Sequence, residues 1–270
     1  MRQQITIFAR RYLEDRLRLQ GGSMTRRTLW FLTAALLVMS LLMTVSAGGP
    51  PIVTVGKLPQ YFLAGRTETF TFTVRAIWGH HEPVDNGFYG VRAIADRKPQ
   101  IKVPAAPTGR KGEYSATLAL PDAGEWTITI DIAPIPETFS NPLLPVMAIQ
   151  PGSPEPRLLS QVELGERFFV EKGCVSCHDN EEVSSPKVFA YWKRRPSNSL
   201  PYFVPDYPGG PPDLTGRKYP ADYLTKFLSN PARFNKDTNM PNLGLSREDI
   251  AALVAFMNRE RTPTVSRVTR

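Results

Sequence analysis

SQVELGERFFVEKGCVSCH spans Ser160 to His178 and decides how the second half of the chain folds. Ser160 with Glu163 forms the S-x-x-E box that opens a helix. Gly165 and Phe169 lie four apart on one face of that helix, which leads through Val170 into Cys174-Val175-Ser176-Cys177-His178. Further on, Ser246 and Asp249 repeat the capping signature, and Ile250, Leu253, Val254 and Met257 follow the i, i+3, i+4, i+7 rule of an amphipathic helix. These two helices can pack on each other. Cys174 and Cys177 are the only 2 cysteines in 270 residues. A disulfide framework is therefore excluded, as is a metal site needing three or four thiolates. A dithiol redox pair would belong in a βαβ context, and half of a zinc site would need two more ligands of suitable spacing; the sequence supplies neither.

Two thiols three residues apart, followed at once by an imidazole, match the attachment pattern of a c-type haem. The thiols can add to the two vinyl groups of one porphyrin, and His178 is then held against the iron. One covalent haem c is the expected cofactor. Over about residues 158 to 259 the sequence resembles the class I cytochrome c family: a helix with glycine and an aromatic before C-x-x-C-H, then PDLTG, a middle helix, MPN and a terminal helix. The resemblance implies an all-α cytochrome c fold with His178 and Met240 as the iron ligands. Met240, in Asn239-Met240-Pro241-Asn242, occupies the position of the family's sixth ligand. Pro212, in Pro212-Asp213-Leu214-Thr215-Gly216, matches the proline whose carbonyl accepts the His178 ring N–H, a bond that fixes the imidazole tautomer. Tyr223, in DYLTKFL, stands where many relatives place a tryptophan, and the resemblance implies a contact with a haem propionate. Met257 continues the apolar face of the terminal helix and is assigned to the core. Met240 has proline after it and no helical period around it.

Upstream, residues 48–132 read as an all-β sandwich. Thr67-Glu68-Thr69-Phe70-Thr71-Phe72-Thr73-Val74 and Trp126-Thr127-Ile128-Thr129-Ile130-Asp131-Ile132 alternate with period two and end at turn residues. The stretch GEYSATLALPDAGEWTITI resembles the final hairpin of immunoglobulin-like domains of bacterial envelope proteins, which implies a fold and no chemistry. His80-His81 are neighbours that a strand would point to opposite faces, and no cysteine or third histidine in the domain completes a copper cup. They read as a loop or strand-end pair. Residues 133–157 hold seven prolines and read as an extended, semi-rigid connector marking the domain boundary. The cytochrome domain occupies 158–270, with an insertion from Asp179 to Gly210 that pairs aromatics with basic residues and suits either a docking surface or a loop over the haem edge.

The net charge of +8 invites a nucleic-acid reading until it is partitioned. Residues 1–47 carry seven Lys/Arg against two acids, 48–157 ten against ten, and 158–270 sixteen against thirteen. Most of the excess lies in the leader, so no basic stripe marks a folded domain and no nucleic-acid partner is expected. Thr28 to Ala47 is uncharged and long enough to cross a bilayer as one helix. Arg26 and Arg27 before it favour a cytoplasmic N-terminus, with the rest of the chain outside. Val45-Ser46-Ala47 also resembles a signal-peptidase site, so cleavage after Ala47 and secretion is the alternative to a retained anchor. Residues 1–27 form a cytoplasmic segment in which Met24, after Gln20-Gly21-Gly22-Ser23, is a possible true start.

The multidomain chain thus reads as a single-pass, membrane-anchored electron-transfer protein and not itself an enzyme. Its expected partners are redox proteins, as subunits of a respiratory or photosynthetic complex on the periplasmic or outer face of a bacterial membrane. The rival readings are a haem enzyme or gas sensor with a labile sixth ligand, and a mainly structural subunit of a membrane complex.

Overall fold

The computed structural model describes residues 51–76, 81–85, 88–133, 139–178, 180–183 and 213–260. All of these belong to one compact unit, Gly48–Arg270. The leader with its apolar span and the Met24 start, His80, Pro212 and most of the 179–210 insertion lie outside the described residues. Among the described residues no helix is long and apolar enough to cross a membrane.

Ten strands come first: β1 (Ile52–Val55), β2 (Tyr61–Leu63), β3 (Thr67–Arg75), β4 (Phe88–Ile94), β5 (Ile101–Pro104), β6 (Ala106–Pro107), β7 (Glu113–Ala119), β8 (Gly124–Ala133), β9 (Phe139–Pro142) and β10 (Val146–Ile149). They form two sheets, one ordered β1-β3-β7-β6 and the other β2-β10-β8-β4-β5, with β9 also paired to β8. Period-two alternation puts Phe70, Phe72 and Val74 of β3 and Tyr114, Ala116 and Leu118 of β7 on one inner face. Trp126, Ile128, Ile130 and Ile132 of β8, with Tyr89, Val91 and Ala93 of β4, line the other. Trp126 is fully buried, and its indole N–H donates to the Asp122 carbonyl at 3.0 Å, so burying the ring leaves no unmade hydrogen bond. On the opposite face of the second sheet, the Arg92 guanidinium grips the Asp131 carboxylate through two bonds of 2.9 and 2.8 Å.

Two expectations change. The segment 113–133 is not a hairpin: β7 pairs with β3 and β6, whereas β8 pairs with β4, β9 and β10. Both strands carry buried alternating residues, and the turn between them carries the chain from one sheet to the other so that the two apolar sets face each other across the core. Nor is the proline-rich stretch 133–157 a spacer throughout. β9 pairs with β8 from Phe139 to Pro142, and β10 joins β8 antiparallel and β2 parallel. Six of its seven prolines stand outside these four-residue strands, where no ladder amide is needed, and Pro142 closes β9. The β domain therefore reaches Ile149, not 132. His81 is buried with Nδ1 3.2 Å from the Ala76 carbonyl oxygen, in keeping with a structural histidine.

The helical part follows: α1 (Gln161–Glu171), a 3-10 turn (Cys174–Ser176), α2 (Ala221–Ser229), the short α3 (Pro231–Phe234) and α4 (Arg247–Met257). Both capping boxes form. The Glu163 N–H donates to Ser160 Oγ at 3.3 Å and the Ser160 N–H to Glu163 Oε2 at 2.7 Å, with the equivalent pair at Ser246 and Asp249.

The two-sheet core generates a stability expectation. Phe72 is 1% exposed and packs against the Tyr89–Tyr114 pair, ring centroids 6.5 and 5.9 Å away. Phe72→Ala should cost about 3–5 kcal/mol in urea unfolding followed by near-UV circular dichroism; a loss below about 1 kcal/mol would contradict the shared core.

Candidate cofactor site

α1 and α4 cross where Gly165 meets the backbone of Ala252. A Cβ on Gly165 would lie 1.9 Å from the Ala252 carbonyl oxygen and 2.6 Å from Phe256 Cβ, so any side chain forces the helices apart. One turn on, Phe169 and Phe256, both fully buried, meet at 5.7 Å between ring centroids. Met257 is half-buried against the same core, as its helical spacing implies.

This packing delivers the C-terminal end of α1 to the cysteine motif. Gly173, at φ +81, turns the chain out of the helix, and a Cβ there would lie 2.6 Å from the Val53 carbonyl of β1. The left-handed conformation and the close backbone approach both demand glycine. The Cys174 carbonyl then accepts the N–H of Cys177 at 3.1 Å and of His178 at 2.8 Å. Two thiols and an imidazole thus issue from one tight turn, all three residues half-buried. Burial pushes the Cys174 thiol up to about 12, with the neighbouring Cys177 adding to the shift.

The other predicted residues fall as follows. Pro212 lies outside the described residues, but the turn after it is ordered against the cysteine motif. Asp213 Oδ1 accepts the Thr215 N–H at 2.8 Å, and Thr215 Oγ1 accepts the Glu181 N–H at 2.9 Å, three residues beyond His178. Hydrogen bonds from the Thr215 side chain and then its backbone hold the Asp213 carboxyl below its ordinary range. Met240 sits half-buried on non-helical backbone between α3 and α4, its N–H donating to Thr238 Oγ1 at 3.2 Å. Tyr223 on α2 is 38% exposed, stacked between Tyr219 and Phe227 at 6.1 and 6.0 Å, with Phe234 edge-on at 4.9 Å.

These features fit a flat, largely apolar macrocycle better than a bare ion. Among the described residues no three His, Cys, Asp or Glu are grouped to hold a metal ion. Tyr223 and Phe234 (42%) are exposed aromatics of the helical part. Cys174, Cys177 and His178 are the residue types that could hold such a group.

Sequence reasoning missed the contact between this turn and the sandwich. Arg167, 4% exposed, pairs with the buried Glu171 and donates to the Pro59 carbonyl at 2.8 Å. Lys172 donates to the carbonyls of Val55 and Gly56 at 3.1 and 2.9 Å. Partners more than a hundred residues away leave no local signal.

Residues 162–259, just over a third of the chain, match the family model Cytochrome c. The match supports a c-type cytochrome. No match to the chain is found among curated proteins. Among solved structures, the Lin-41 filamin domain is similar at 12% identity, covering 38% of this chain and 97% of that one, with a TM-score of 0.28. Domains 4 and 5 of the S-layer protein SbsC show 17% identity over 37% of this chain and 54% of theirs (TM-score 0.26). The PmoD soluble domain from Methylocystis sp. shows 13% over 36% and 89% (TM-score 0.25). TM-scores this low do not establish a shared fold.

The helix crossing and the Cys174 thiol each carry a test. Gly165→Ala should lower unfolding free energy by about 3 kcal/mol in urea titrations; a neutral effect would refute the close crossing. In the haem-free chain at pH 8, alkylation of Cys174 mapped by mass spectrometry should run at least about tenfold slower when folded than in urea; equal rates would show the thiol is not shielded.

Proposed function

We propose that this chain transfers single electrons through one haem c held by Cys174 and Cys177, with His178 and Met240 as axial ligands. The observation that carries the reading is the joint issue of Cys174, Cys177 and His178 from one turn, inside the segment that matches the cytochrome c family. When bound, the haem supplies an iron that cycles between ferrous and ferric. The chain's residues would do the rest: α1 and α4 fix the attachment turn, His178 would hold the iron from one side, and Met240, freed from helical packing, would hold it from the other. With both ligands bound, the iron would offer no place for a substrate, and methionine ligation would raise the potential relative to two histidines.

The further reading is a subunit of a membrane electron-transfer complex, outside the cytoplasm of a bacterium, anchored by residues 28–47. The uncharged 20-residue run after Arg26 and Arg27 supports it, as does a second domain packed on the haem turn, for which a free shuttle would have little use. Pro212 would accept from the His178 ring, and Tyr223 would stand at a propionate; the bonded turn 213–215 and the aromatic column on α2 support those roles.

The ligand assignment is tested with the oxidised protein. Met240→Ala should abolish the weak far-red band of methionine-to-ferric-haem bonding and open the reduced protein to rapid carbon monoxide binding, with the haem still covalently attached. A retained band would eliminate Met240 as ligand.

A further inference from the structure

A cation seldom sits buried within a few residues of a prosthetic-group attachment site unless something pairs it. Lys172 is 6% exposed and stands two residues before Cys174. Its ammonium donates to the Val55 and Gly56 carbonyls at 3.1 and 2.9 Å and lies 3.4 Å from Asp249 Oδ1, over the ring of Phe168. The two carbonyls belong to the end of β1 and the loop after it; the carboxylate belongs to the first turn of α4. The Lys172 carbonyl in turn accepts from Thr54 Oγ1 at 3.5 Å, and Thr54 is itself bonded by Arg75 at 3.2 Å. One side chain therefore joins the sandwich, α4 and the chain segment entering the attachment turn, exactly one residue before the glycine whose backbone abuts Val53.

We propose that Lys172 is a positioning residue for the haem-attachment turn, through which the β-sandwich and Asp249 together set the orientation and the reduction potential of the haem. The proposal rests on the haem reading given above. Its physical basis is twofold. Geometrically, Lys172 is the last residue before the chain turns through Gly173 into Cys174, so its three anchors fix the point from which the turn departs. Electrostatically, a charge in a poorly solvated seam would act with little screening on an iron held at the attachment turn. A cation there favours the less positive, ferrous state, and the partner anion opposes it. The sandwich contributes two carbonyl dipoles to the cation, which also faces the buried Glu171 carboxylate paired with Arg167.

The test compares full-length, haem-loaded wild type with Lys172→Met and Asp249→Asn. Asparagine keeps a side-chain oxygen to accept the Ser246 N–H, so the helix cap survives in that variant. At a fixed applied potential, the ferrous-to-ferric ratio should fall at least about threefold in Lys172→Met and rise by a similar factor in Asp249→Asn, the opposite signs following from the opposite charges removed. Amide exchange at Ser176, Cys177 and His178 should quicken in Lys172→Met together with that of residues 52–56. A merely structural role would loosen both variants without giving shifts of opposite sign. Shifts in one direction, no shift, or unchanged exchange at the turn would overturn the proposal. If Lys172→Met does not fold, the sign of the Asp249→Asn shift decides alone: a rise supports the proposal, and a fall or no change overturns it. A wild-type protein without covalent haem would instead sink the functional reading, so the two failures are distinguishable.

Discussion

The crossing of α1 and α4 at Gly165 is the constraint on which the helical part depends. Two helices so close that a methyl group does not fit between them must be held by side chains on either side of the contact, and Phe169 against Phe256 does this. Because α1 ends three residues before Cys174, the crossing also fixes where the cysteine turn begins. Local geometry then completes the site: Gly173 reverses the chain, and the Cys174 carbonyl gathers the amides of Cys177 and His178.

The sandwich extends this constraint to the first half of the chain. Its own core is ordinary: alternating apolar residues from two sheets, closed by a fully buried Trp126. Two things tie it to the helices: an apolar cluster that takes in Val53 and Val55 with Phe169, Val170 and Val175, and a set of polar contacts. Arg167 and Lys172 present their charges to backbone carbonyls at the end of β1 and in the loop beyond it. Burying Glu171 raises its carboxyl pKa, against which Arg167 and then Lys172 pull down. Buried charges of this kind are costly unless fully partnered, so their partners restrict the two halves to a single arrangement.

Much of this was legible in the sequence where the signal is local. Capping boxes need only residues three apart, and those at Ser160 and Ser246 form as read. The alternation in β3 and β8 marked strands, and Met257 fell on the core face its period assigned. Pairing was less legible. β7 and β8 are adjacent and both alternate, which suits a hairpin as well as a crossover, and only the facing of two buried surfaces decides between them. β9 and β10 were hidden because four-residue strands between prolines look like an extended connector. The seam was hidden because Arg167 and Lys172 on a helix resemble solvated charges until their distant carbonyl partners are in place.

The central claim is that Cys174 and Cys177 fasten one macrocycle to the attachment turn. The most direct measurement is mass spectrometry of tryptic peptides from the chain expressed alongside haem-ligation machinery. The peptide from Gly173 to Lys187 holds both cysteines and His178. The account predicts that this peptide carries the mass of one haem, attached at both sulfurs. Recovery of the same peptide at its unmodified mass, with both thiols open to alkylation, would contradict it.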